Sequence, residues 1–181
     1  MTPSPFQQLL GPGFTQLPEP VRRLHSLPGN LVTAGQSDIV AGRGFFAWLI
    51  ARLAGMPAPG AGVPVTVAFE IDGKGGEFWR RRFARRRYQS GFAAGTGRHA
   101  GLLSERFFPF TFYHRLTPSP QGLRWEVAAC SLLGVPLPRW VRPHAVCFEG
   151  GDGDRFTFDI DASFPLIGQV IHYRGWLLPQ G

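Results

Sequence analysis

Lysine is almost missing from this 181-residue chain: Lys74 is the one lysine among 19 basic residues, and the rest are arginine. Acids are scarce as well, 12 against those 19, which leaves a net charge of +7. A cationic surplus admits anionic partners, nucleic acid included. The basic residues are spread along the chain apart from one cluster, however, and no helix-turn-helix, zinc-finger or ribonucleoprotein motif appears. Specific nucleic-acid binding is therefore not expected. The arginine bias, with abundant Ala, Gly and Pro, points to a GC-rich bacterial source and carries no function.

Cysteine is limited to Cys130 and Cys147, with no Cys/His ligand spacing around either. That argues against a structural zinc site and for free thiols. No metal and no cofactor are expected. No uninterrupted apolar run approaches the ~18 residues of a membrane span. The first residues lack a charged segment followed by an apolar run, so a soluble cytoplasmic protein is the expectation. Catalytic signatures are missing too. Gly42-Arg43-Gly44 is no phosphate loop, there is no Gly-x-Ser-x-Gly or His-Glu-x-x-His, and Asp152 and Asp154 lack the glutamate that would complete a calcium loop. The sequence leaves open whether the chain is an enzyme.

What the chain has is punctuation and alternation. With 24 glycines and 17 prolines it favours many turns over long helices. Val63, Val65, Val67, Phe69 and Ile71 alternate with Pro64, Thr66, Ala68, Glu70 and Asp72, which predicts a half-buried strand. Asp72–Gly76 is its hairpin turn. Phe110, Phe112, His114 and Leu116 line one face of a later strand, and Leu123, Trp125, Val127 and Ala129 one face of the next. Phe156, Phe158 and Ile160 repeat the pattern, and Gln169–Leu178 reads as the last strand. The three prolines in Leu132–Pro143 predict a crossing loop. These stripes predict a mainly β (α+β) fold: an antiparallel curled sheet or β-barrel of roughly 8–10 strands.

Two helices are expected. A short N-terminal one spans Pro18–His25 and is stopped by Pro28-Gly29-Asn30. A longer one, Phe45–Ala54, is ended by Gly55 and Pro57. Its apolar arc, widened by Phe46, Trp48 and Ile50, is expected to pack against the sheet, the alternative being a helix lying in a membrane interface. Met1–Gly13 is expected to fray, so residues 1–16 read as a flexible N-terminus and 17–181 as one β-rich domain.

The most informative stretch is Glu77–Gly91. As a strand it puts Trp79, Arg81 and Phe83 on one face. If that is the core face, Arg81 points inward, and a buried guanidinium needs an acidic partner or an anionic ligand. Glu105, on the face of Leu103 and Phe107, is the first candidate partner; pairing with it, or snorkelling to the rim, is the plainer reading. The other is an anion-binding arginine in a cavity. His114 interrupts an apolar stripe in the same way, and Arg174 is a further candidate.

Several fragments recur together: Leu17-Pro18 with Val21–His25, Gly42-Arg43-Gly44, Pro64-Val65, Trp79-x-Arg81-x-Phe83, and Glu105-Arg106-Phe107 with Pro109-Phe110. They continue with Leu133–Pro138, Phe156-x-Phe158-Asp159, and Pro165–Gly168 with Tyr173–Leu177. In these the chain resembles the bacterial domain-of-unknown-function 4166 (DUF4166) family, from about Leu17 to Pro179. Phe108 departs from the pattern, which tends to have glycine before the proline. The resemblance implies a domain that also occurs fused to nucleotide-binding reductase-like proteins, and it brings no activity, substrate or catalytic residue.

Three functions remain. One is a non-catalytic barrel that binds an apolar or anionic small molecule, with Trp79, Arg81, Phe83, Glu105, Phe112, His114 and Arg174 as candidate contacts. The second is an enzyme with Glu105 or His114 as acid/base in the same cavity. The third is a peripheral membrane or interaction module using the Phe45–Ala54 helix and the arginine cluster.

Overall fold

In the computed structural model, which describes residues 3–26, 29–73 and 75–180, the alternating stripes become an up-and-down meander. Its strands are β1 (Leu31–Ala41), β2 (Gly60–Ile71), β3 (Glu77–Phe83), β4 (Arg86–Ala94), β5 (Leu103–Phe107), β6 (Phe110–Ser119), β7 (Gly122–Leu132), β8 (Val135–Pro136), β9 (His144–Asp152), β10 (Arg155–Phe164) and β11 (Gly168–Pro179). Each pairs antiparallel with its neighbour, β1 with β11 and β7 with both β6 and β9, so ten strands close into a barrel. The two-residue β8 only folds back on the end of β7. Closure leaves no long free edge.

The period-two residues face inward. Val65, Val67 and Phe69 are buried on β2, Trp79 and Phe83 on β3, and Phe156 and Phe158 on β10. Gly175 is also inward, opposite Phe158 in the ladder. A Cβ there would meet the Phe158 ring and the Gln36 carbonyl, so the ring lies across β11 only because residue 175 has no side chain. One bulge resets the alternation. Tyr113 pairs with Ala129 but His114 with Val127, which leaves Ala128 extra on β7. Beyond it Cys130, not Ala129, is buried inside. The freed Ala128 carbonyl accepts from Arg142 Nη1.

The two ends of the barrel are covered differently. At the end where β2 meets β3 sit α1 (Pro5–Leu10), a tightly wound helical turn (Gly11–Gln16) and α2 (Glu19–His25). Of the stretch expected to fray, Met1 and Thr2 lie outside the described residues, and residues 5–13 are helical and plug this end. Ser4 caps α1 by accepting from the Gln7 amide while the Gln7 side chain accepts from the Ser4 amide, a reciprocal capping box. Phe6 is 0% exposed, between His25, Trp79, Phe92 and Trp125. Of the expected stop after α2 only Gly29 and Asn30 are described; Pro28 lies outside the described residues, as does Lys74 of the β2–β3 turn.

At the other end, α3 (Phe45–Leu53) leaves β1 and crosses the barrel mouth against β11. Here α3 packs on β11 and β1, but by one narrow face. Only Ala47 is buried on this helix, while Phe45, Phe46, Trp48 and Leu53 stand exposed. The helix covers a mouth, not a sheet face, so its underside alone finds core to pack on. No helix among the described residues is long and apolar enough to cross a membrane. The outer wall carries charged side chains such as Arg80, Arg82, Arg87, Arg124, Asp159 and Arg174.

Candidate functional site

Eight strands are enough to leave an interior that side chains just fill, and diameter grows with strand number. Ten strands leave more room. The plug fills the lower part, where Trp79 and Trp125 meet Phe6. Above them a cavity of about 180 Å³ runs up to the mouth, where Ile50 of α3, Ala54 just after it, Met56 and Pro143 border it. An apolar cavity of ~150 Å³ holds a benzene, so this one suits a single ring or a short alkyl chain.

Six of the seven residues expected at a site line this cavity: Trp79, Arg81, Phe83, Glu105, Phe112 and His114. Cross-strand register brings them together, since Glu105 stands opposite Phe112 and Leu103 opposite His114. Arg174 does not join them. It is exposed on the outer wall, and its neighbours Tyr173 and Gly175 take the inward positions.

Arg81 lies among aromatic rings. Its guanidinium carbon is 4.9 Å from the Trp79 ring centroid, 5.5 Å from Tyr88 and 5.7 Å from Phe92. Such contacts contribute about 2 kcal/mol or more when desolvated. Its one hydrogen-bond partner among the described residues is Ser90, reached by Nη1 at 3.0 Å. The expected ion pair with Glu105 does not form; that carboxylate is held by His114, Oε2 to Nε2 at 2.9 Å. A guanidinium has five N–H donors, and one neutral bond leaves most of them unused.

Electrostatics keep this polar set charged. Burial alone would push the Arg81 pKa down, and the facing Tyr88, Glu105, Tyr173 and Cys147 more than offset it, so the net shift is upward. Burial likewise opposes ionisation of Glu105. The His114 hydrogen bond and charge, then Arg81 and Ser90, outweigh it and hold the carboxyl below its ordinary value. The interior therefore presents a carboxylate already engaged by histidine and a cation with donors to spare. His114 Nδ1 and Trp125 Nε1 are buried without partners among the described residues.

Sequence reasoning missed the rest of the lining. Tyr88 and Tyr173 meet by their hydroxyls at 3.3 Å, and burial raises both pKa values, keeping them neutral. Tyr88-x-Ser90-x-Phe92 has a period of two that would have placed them inward. Cys147 also lines the cavity, but burial, then Glu149, pushes its thiol well up. Burial takes Cys130 to about 11. Both cysteines are free and neither has thiolate character. Beneath the cavity, His25 reaches from α2 to Glu149 at 2.7 Å. Glu77 accepts from Trp79 Nε1 at 3.0 Å. No group of acids, histidines and cysteines among the described residues is arranged to hold a metal.

A family model described as a domain of unknown function (DUF4166) matches residues 17–177, nearly the whole chain. Comparison with curated proteins and with solved structures gives no match.

Proposed function

The chain belongs to the DUF4166 family of domains of unknown function, and we propose that it is a non-catalytic binding barrel for a small amphiphile whose anionic head meets Arg81. The observation that carries this reading is the Arg81 guanidinium, lining the cavity with Ser90 as its one hydrogen-bond partner among the described residues. A carboxylate or phosphate-type head would take up its free donors in a low-dielectric setting, where charge-assisted bonds are strongest. Phe112, Phe83 and Phe158 would flank the tail. Apolar walls with a few convergent polar groups are the usual make-up of a small-molecule site.

Native mass spectrometry of the purified protein, followed by organic extraction, tests it. A stoichiometric extra mass that extracts as an acidic amphiphile is expected, and Arg81→Gln should lose it. If wild type stays apo even after incubation with octanoate, the reading is wrong.

One observation favours a second reading, an enzyme. His114 and Glu105 form a hydrogen-bonded pair in the cavity lining. The pair together would take up or give a proton at the cavity wall, with His114 holding the Glu105 carboxylate in place. That reading requires the extracted molecule to differ chemically between wild type and Glu105→Gln. The same molecule from both excludes it.

A further inference from the structure

The nine most exposed large apolar side chains described in this protein all lie at one end of the barrel, the mouth. Four are on α3. The others are Phe108 in the β5–β6 turn, Leu133 and Val135 beyond β7, Trp140 in the loop before β9, and Leu166 between β10 and β11, up to 99% exposed. Antiparallel order puts all these connections at the end where β1 and β7 finish. A helix that is apolar all round is ordinarily buried, yet α3 has its underside on the barrel and its other faces bare.

Charge follows the same polarity. The mouth connections, residues 42–59, 84–85, 108–109, 133–143 and 165–167, contain Arg43, Arg52, Arg85, Arg139 and Arg142 and no Asp or Glu. The opposite end is mixed, with Glu19, Asp72, Asp152 and Asp154 beside Arg22, Arg23 and Arg98. A second copy of this chain would bring its own five arginines against these. An anionic bilayer instead offers both a negative surface and an apolar boundary into which Phe, Trp and Leu side chains sink.

We infer that the mouth docks on anionic lipid bilayers, with α3 lying in the interface and the cavity facing the membrane. The docking rests on the rim alone. That the bilayer supplies the bound amphiphile rests on the cavity reading, and vesicle binding is measured without reference to Arg81, so the two can fail separately.

The test is sedimentation of the full chain with phosphatidylcholine vesicles with and without phosphatidylglycerol. Binding is expected only when phosphatidylglycerol is present and should weaken with salt. Each exposed mouth arginine should contribute about fivefold to partitioning, so Arg52→Glu with Arg139→Glu should lower it at least that much. Phe45→Ser with Trp48→Ser, at exposed positions, should lower it about tenfold or more. Arg98→Glu, the same charge change on the far end, should leave it unaltered; an equal loss there would mean that net charge, not the rim, binds. Absence of binding, equal binding to neutral vesicles, or rim variants that bind like wild type would overturn the inference. So would a concentration-dependent dimer abolished by Phe45→Ser with Trp48→Ser, which would mean that a second copy covers this face.

Discussion

Two carboxylates inside the barrel are pushed in opposite directions by their surroundings. Glu77 sits deep under the cavity, where burial raises its pKa more than His25 and the Trp79 N–H lower it. Glu105 is held down by His114 and Arg81 despite burial. The linkage signs therefore differ. A raised carboxyl leaves the fold at its best below the ordinary carboxylate range and costs stability as pH rises through the folded value. A depressed one contributes above the ordinary value and stops doing so as pH falls through the folded one. Glu77→Gln, which keeps an acceptor for Trp79, should raise Tm at neutral and alkaline pH and match wild type in acid. Glu105→Gln should lower Tm at neutral pH, with the gap closing in acid. Thermal melts of the two variants across pH check both; parallel curves would mean that neither group titrates as its environment dictates. At this scale the sequence was half legible. Arg81, Glu105 and His114 stood out as polar breaks in apolar stripes, and all three reach the cavity. Their pairing was not legible, because which of Ser90, Glu105 and His114 takes which partner depends on register and rotamer.

The elements were legible where one periodicity ran undisturbed, as on β2 and β6, and obscure where it was reset. The Ala128 bulge moves Cys130 inside, and nothing in Val127–Cys130 announces an extra residue. The plug is a different case. Ser4-x-x-Gln7 carries the signature of a capping box, hidden in a stretch whose Pro, Ser and Gly content reads as a fraying terminus. His25 and Glu149, 124 positions apart, meet only because α2 closes the barrel end. Phe6 is the side chain that ties this plug to the core. Phe6→Ala should cost about 3–5 kcal/mol, or roughly 6–20 °C in Tm for a chain of this size. A variant that melts within a degree or two of wild type would mean that the plug sits on the barrel without stabilising it. The helix over the mouth teaches the complementary point. Its existence and ends were plain from Gly44, Gly55 and the apolar arc, but periodicity reports that a face is apolar and not what covers it.

At the scale of the whole molecule, closure into ten strands is what makes an interior too wide for its own side chains to fill. The meander and the interior space are thus one feature; the alternating stripes implied the curled sheet but left open both the strand order and whether its inside is a cavity or a packed core. The barrel is also polarised, with a sealed end of mixed charge around Phe6 and an apolar mouth that bears arginine and no acid in its connections. A ligand that binds only the folded barrel must stabilise it by mass action, about 2.7 kcal/mol at a hundredfold excess over Kd. For a chain of this length that is roughly 5–11 °C in Tm. Head-group charge is the variable that isolates Arg81, because octanoate, octanol and octylamine share a tail. Octanoate should raise Tm most and octylamine least, since an ammonium head would face the Arg81 cation across the cavity. Arg81→Gln should reduce the octanoate shift to that of octanol. Equal shifts from all three heads would assign the binding to the apolar walls alone, and a larger shift with octylamine would make the Glu105 carboxylate, not Arg81, the group that selects the ligand.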